Sequence, residues 1–255
     1  MSVFYSQLKS LDVVGKNDHI GKVTDLMFDD RNWLIRYIVV QTGSWFVDRK
    51  IVLGPGSFAA GALNFKADLR ADLTREQVEN SPLYEDHLPV SRQYEDAIHQ
   101  HYGWLPYWNS AQPTLFHDPE LSVAGAGAPE MQKLQWSELA AEEQANYDPH
   151  LRSFSELSSY QVASSDEETF GDISDLAIAA NAWQVVDLVI NSRRWLPGGK
   201  DVVVSPKFVR SIDEDRKLVH VNRPKDIILS GPEFEQERYD SEYRGRLIAH
   251  YNQSK

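Results

Sequence analysis

The chain has 255 residues, 42% hydrophobic and 11% aromatic, with no cysteine and a formal net charge of −12. That apolar content supports packed cores and argues against a disordered chain; the lack of cysteine excludes disulfides and thiolate chemistry; and no run approaches the ~18 apolar residues of a membrane helix. Residues 1–90 carry 10 basic and 12 acidic side chains, 91–150 carry 2 and 9, and 151–255 carry 14 and 17, so no stretch concentrates the basic charge that nucleic acid requires.

Met1 to Leu11 lacks the basic start and apolar middle of a signal peptide, so a cytoplasmic protein is the expectation. Phe4, Tyr5, Leu8 and Leu11 precede Val13-Val14-Gly15, and Phe154, Leu157, Tyr160 and Val162 form the later counterpart. A repeat then organises the chain. Gly21 to Pro55 returns as Gly171 to Pro206, with Gly21, Asp25, Leu26, Trp33 and Trp45 recurring 150 residues on as Gly171, Asp175, Leu176, Trp183 and Trp195. Such self-similarity means one structural unit used twice, and the length suits two units of roughly 100 residues with a connection.

Within each copy the elements follow one another alike. Val23 to Phe28 reads as a strand, Asp29-Asp30-Arg31-Asn32 as a turn, and Trp33 to Gln41 as the returning strand of a hairpin. That strand is apolar on both faces, with Ile35, Tyr37 and Val39 on one and Leu34, Ile38 and Val40 on the other, so a second layer must cover it. Arg36 in the first copy and Asp187 in the second are exceptions expected to reach solvent or a partner at a barrel mouth. Strands through Ile51–Leu53 and Val202–Val204 stop at Pro55 and Pro206, because proline cannot donate to a ladder. Further strands are predicted at Leu63–Phe65 and Leu218–Val221.

Each copy then turns helical. Thr74 with Gln77 makes a capping-box pattern, and Pro224 opens the later short helix. At an offset of 149, Tyr94, Ile98, His101 and Tyr102 match Tyr243, Leu247, His250 and Tyr251, one apolar stripe of a longer helix packed on a barrel. The organisation read here is 1–102 as a first unit, 103–150 as an acidic, proline-containing linker, and 151–255 as a second unit. Trp104, Tyr107 and Trp108 are too apolar to float and are expected to pack on a barrel, while Glu130 to Ala145 suits a short surface helix.

No catalytic set emerges. His99 and His101 stand two apart and point to different sides of a helix, so packing is the better reading than a metal site. Asp25, Asp29 and Asp30 are read as turn chemistry rather than a cation site or an acid–base pair, and Ala179-Ala180 replace the Asp29-Asp30 pair in the second copy. Neither a G-x-S-x-G elbow nor a phosphate-cradling glycine loop occurs. Arg193-Arg194-Trp195 makes the best-charged hairpin tip.

The sequence of glycine, strand, acidic turn, Trp33-x-Ile35-Arg36-Tyr37-x-Val39-Val40 and proline-terminated strand resembles the PRC-barrel, the small β-barrel of the cytoplasmic part of the photosynthetic reaction-centre H subunit. The same fold forms the C-terminal half of a bacterial ribosome-maturation factor. Gly171, Asp175, Trp183, Val189, Trp195, Pro197, Gly198 and Pro206 carry the resemblance in the second copy, and Asp148 to Ser153 is similar to the approach to the second barrel of tandem bacterial members. The resemblance implies a mainly β fold of two small antiparallel barrels, each followed by short helices. It also implies a cytoplasmic adaptor or regulatory module with no catalytic residues to carry over. The expected function is a non-enzymatic scaffold or protein-binding module without cofactor or metal, working through a protein partner or self-association, such as a homodimer. The alternatives are an RNA or ribosome-associated factor, by fold analogy, and a small-ligand binder or enzyme in a cleft between barrels. The candidate interaction residues are Arg193, Arg194, Trp195, Trp104, Tyr107, Trp108, Asp29 and Asp30.

Overall fold

The structure, a computed structural model, describes residues 2–43, 49–59, 61–63, 67–84, 90–109, 149–193 and 198–253. In the first half the elements are β1 (Ser2–Phe4), α1 (Tyr5–Leu8), β2 (Asp12–Val14), β3 (His19–Asp29), β4 (Leu34–Thr42), β5 (Lys50–Leu53), β6 (Asp68–Arg70), α2 (Arg75–Glu79) and α3 (Arg92–Tyr102). The second half runs β7 (Leu151–Ser153), α4 (Phe154–Leu157), β8 (Gln161–Ala163), β9 (Thr169–Ala179), β10 (Gln184–Asn191), β11 (Asp201–Val204), β12 (Val209–Asp213), β13 (Leu218–Val221), α5 (Lys225–Leu229) and α6 (Ser241–Gln253). The protein is mainly β with few helices, and the same order of strands and helices occurs twice. Trp45, Arg194, Trp195 and the Glu130–Ala145 stretch lie outside the described residues.

Two compact units divide the chain, one of Lys9–Arg152 and the other of Ser153–Lys255 together with Met1–Leu8. In the first, β3 pairs antiparallel with β4 (Leu26 opposite Ile38) and with β2, and β4 pairs with β5 (Val39 opposite Val52). A parallel pairing of β2 with β6 (Val13 opposite Leu69) then curls the sheet back on itself. In the second, β9 pairs with β10 and β8, β10 pairs with β11, and β8 runs parallel to β13. The far end of β9 receives β1, with Val3 opposite Ile178. The far end of β3 receives the chain around Leu151, where Asp30 N donates to His150 O at 2.9 Å. The lead-in strand of each copy thus completes the sheet built by the other copy. Val3, Phe4, Tyr5 and Leu8 are all buried there, with Phe4 packed edge-on to Tyr239 at 5.1 Å and Tyr5 to Phe154 at 4.4 Å.

Local chemistry explains why the repeated residues recur. Asp29 Oδ1 accepts from Arg31 N and Asn32 Oδ1 from Leu34 N, the side-chain-to-backbone bonds that tighten a turn. Trp33 and Trp183 take left-handed backbones, φ 61 and 48, so that each chain reverses into β4 or β10. A Cβ on Gly21 would stand 2.1 Å from Gln41 O, and one on Gly171 2.7 Å from Asn191 O, so neither position admits a side chain without backbone movement. Thr42 Oγ1 bonds Arg49 O at 2.9 Å, as Ser192 Oγ bonds Lys200 O at 2.7 Å. Pro55 and Pro206 each open a short 3-10 turn just after β5 and β11. The Thr74–Gln77 capping box forms as read, and Pro224 stands one place ahead of α5 as its cap. Leu63 lies in a turn, residues 64–66 lie outside the described residues, and the strand of this stretch is β6.

Both faces of β4 are covered. Met27, Tyr37, Val39 and Val52 pack against Ile98 of α3 and Tyr107, with Tyr94, Trp104, Trp108 and Leu151 around them. Arg36 and Asp187 do not reach solvent as the strand pattern suggested. They are buried, at 7% and 1% exposed, because each finds an opposite charge inside the fold.

Candidate functional site

A buried polar cluster of the Lys9–Arg152 unit lies where α3 meets β4. Ser91 caps α3 by accepting from Tyr94 N, and the helix ends at Gly103 in a left-handed conformation. Between those ends the residues turned inward are Glu95, Ala97, Ile98 and His99. Glu95 and His99 are four apart, so they share one face and meet Tyr37 together. Tyr37 Oη donates to Glu95 Oε1 at 2.8 Å and stands 2.9 Å from His99 Nε2. Tyrosine has one hydroxyl proton, so the second contact takes its proton from Nε2, which assigns that tautomer to His99. Tyr107, on the short 3-10 turn Tyr107–Asn109, donates to the same Glu95 oxygen at 2.7 Å.

Charge is balanced around this carboxylate. Arg92 Nη1 lies 2.8 Å from Glu95 Oε2, an ion pair without hydrogen-bond alignment, and its guanidinium sits 4.3 Å over the Trp108 ring. Arg36 donates to Asp29 Oδ2 at 3.1 Å and lies 3.9 Å over the Tyr107 ring. Trp104 and Trp108 meet His99 edge-on at 5.5 and 4.8 Å. Burial pushes the His99 imidazole down to about 4, helped by the Arg92 and Arg36 charges and opposed by the Leu105 and Trp104 backbone. Burial, and then the Glu95 charge, hold the Tyr37 hydroxyl well above its ordinary range. At neutral pH the histidine is therefore uncharged and the tyrosine protonated, the states that this hydrogen-bond network uses.

The other unit solves the same problem with the charges exchanged. Asp187 stands on β10 where Tyr37 stands on β4, and its Oδ2 accepts from Tyr239 Oη and, at 2.7 Å, from Arg244 Nε of α6. Burial raises the Asp187 carboxyl, while Tyr239 and Arg244 oppose that rise. Burial and the Asp187 charge both push the Tyr239 hydroxyl upward. The longer helices are otherwise bonded alike. His101 Nε2 bonds Gln77 O at 2.7 Å and His250 Nε2 bonds Ile227 O at 2.8 Å; Tyr94 Oη reaches Pro82 O and Tyr243 Oη reaches Pro232 O.

The residues singled out from the sequence fall in different places. Asp29 is buried, not on the surface, and accepts from Arg31 and Arg36; burial would raise its carboxyl, but these bonds hold it down at about 2. Asp30 pairs with Arg152 and His150, each at 2.8 Å. Asp25 accepts from Leu26 N. Tyr107 is buried, and Trp104 and Trp108 are half-buried, at the aromatic edge of the Glu95 cluster. Arg193 is exposed and pairs with Asp201 at 3.1 Å, whereas Arg194 and Trp195 lie outside the described residues. Among the described residues no group of three acidic, histidine or cysteine side chains is placed to hold a metal ion. Sequence reading passed over Glu95, Tyr239 and Arg244, and placed Asp187 at a barrel mouth, not in a buried pair. The available signal was that Glu95 and Arg244, 149 apart, reverse in charge while their strand partners Tyr37 and Asp187 change as well.

Residues 1–68 match the family model described as the PRC-barrel domain, so a PRC-barrel domain is present in that stretch. No curated protein matches the chain. Among the described residues no helix is long and apolar enough to cross a membrane.

Proposed function

We propose that the chain is a cytoplasmic, non-enzymatic interaction protein built of two PRC-type barrels in tandem, and that it works by holding a protein partner, a second copy of itself included. The tandem reading draws support from the repeated element order and the matched bonds of the two halves. The non-enzymatic reading draws support from the polar groups at the two helix–sheet junctions, since Tyr37 bonds Glu95 and His99 in one unit and Asp187 bonds Arg244 in the other.

One observation carries the interaction role. Leu105 is 64% exposed, far more than Leu83 or Ile248, the other exposed large apolar side chains among the described residues. It adjoins Trp104, which stacks on Tyr102 at 4.6 Å and lies against Gly54, where an added Cβ would be 3.1 Å from the indole. Tryptophan is among the residues enriched at interfaces, and here the exposed leucine extends the apolar surface of one fixed from behind. Cross-linking in cells, followed by identification of what is captured, tests the reading with the wild type and Leu105→Asp. The expected result is a protein cross-linked to the wild type and lost from the variant, with an unchanged circular dichroism spectrum. Capture unaffected by the substitution, or no capture by the wild type, overturns it.

A further inference from the structure

We propose that the two helix-docking faces carry opposite chemical keys, so that the face of β4 accepts a helix bearing a carboxylate and the face of β10 one bearing a guanidinium. The two helices are built alike. Ser91 accepts from Tyr94 N at 3.1 Å and Asp240 from Tyr243 N at 2.8 Å, and Ile98 and Leu247 are both buried. Apolar packing therefore discriminates little between them, because both stripes present similar residues. Glu95 and Arg244 occupy the same helical position and differ in sign. The strands differ to match: Tyr37 gives Glu95 a hydroxyl proton, and Asp187 gives Arg244 a carboxylate.

Exchange of the helices puts Arg244 against Tyr37 beside the buried Arg36, with the Tyr37 and Tyr107 hydroxyls deprived of their acceptor. It sets Glu95 against Asp187, two carboxylates in a site that is 1% exposed at the aspartate, where one must stay protonated. Both mismatches take away the bond that each native pairing makes, Tyr37 with Glu95 and Asp187 with Arg244. The keys thus direct each helix to its own sheet.

Amide exchange of Ser241–Gln253 in the full chain tests this with Arg244→Met, Arg244→Glu, Asp187→Tyr and the double variant Asp187→Tyr/Arg244→Glu, which transplants the first key into the second unit. Arg244→Glu is expected to speed exchange at least roughly tenfold beyond Arg244→Met, since it adds a second buried carboxylate. That excess should shrink as the pH falls toward 5 and one carboxyl protonates. The double variant should exchange more slowly than Arg244→Glu. If Arg244→Glu does not fold at pH 7, recovery of its helix at pH 5 but not in the presence of neutral salt supports the proposal. Equal exchange in Arg244→Met and Arg244→Glu, or effects of the double variant that merely add, overturns it.

Discussion

Replacing His99 by glutamine removes a titrating group from the α3–β4 junction and keeps an amide able to bond Tyr37. With a folded-state pKa of about 4, against roughly 6.5 for an unfolded histidine, His99 stays neutral in the fold while the unfolded chain takes up a proton. A depressed histidine therefore gives stability that is fully present above pH 6.5 and falls as the pH drops toward 4. The separation of 2.5 units corresponds to about 3 kcal/mol at the acid end of that window. The groups facing the imidazole are Tyr37 from β4, Glu95 and Arg92 from α3, the indoles of Trp104 and Trp108, and the Arg36 charge. Proton titration by NMR, assigned by the loss of one imidazole signal in His99→Gln, should find His99 flat from pH 8 to 5. Amide exchange of residues 92–102, corrected for intrinsic rates, should show the wild type losing protection below pH 6.5 and the variant losing much less. A midpoint near 6.5, or parallel curves for the two proteins between pH 6.5 and 4.5, refutes the reasoning.

Other outcomes follow from particular contacts. Phe4→Ala should cost about 3 kcal/mol or more in the unit containing β9 and β10, read as lost protection there, because Phe4 is buried beside Tyr239 and Phe234; the protection of β3 and β4 should be unchanged. Asp29→Asn should remove an acid-dependent contribution of about 2 kcal/mol. Because the Asp29 pKa is lowered to about 2, that contribution is present above pH 3.8 and lost as the pH falls through 2, so wild-type and variant acid denaturation curves should converge at the lowest pH. Tyr37→Phe should destabilise α3 by roughly 1–3 kcal/mol by leaving the buried Glu95 and His99 one hydroxyl short, seen as faster exchange of Arg92–Tyr102.

What the sequence made legible were the features repeated in kind. Gly21 and Gly171 face a carbonyl, Trp33 and Trp183 reverse the chain, and Pro55 and Pro206 follow the end of a strand, so identical residues mark identical backbone tasks. The exchange of lead-in strands was not legible. Phe4 and Phe154 sit in matching positions of the two copies, and a repeat records which residues belong to a strand, not which copy of a partner strand they choose. Nor was the buried charge legible, because periodicity treats Glu95 and Asp187 as solvated breaks in an apolar pattern. Only the partner across the junction, Tyr37 for Glu95 and Arg244 for Asp187, makes their burial tolerable, and that partner is 58 or 57 residues away. Arg36 and Asp29 were misjudged as surface groups for the same reason, each being the other's counter-charge.

The proposed interaction role rests on the exposed surface around Leu105. A photoreactive amino acid placed at position 105 in cells, with a second protein carrying it at the exposed Arg193, examines that surface directly. The account predicts a defined covalent adduct from position 105, with a partner protein or a second copy of the chain, and weaker or no adduct from position 193. Labelling at 193 with none at 105, or only diffuse labelling from both, would contradict it.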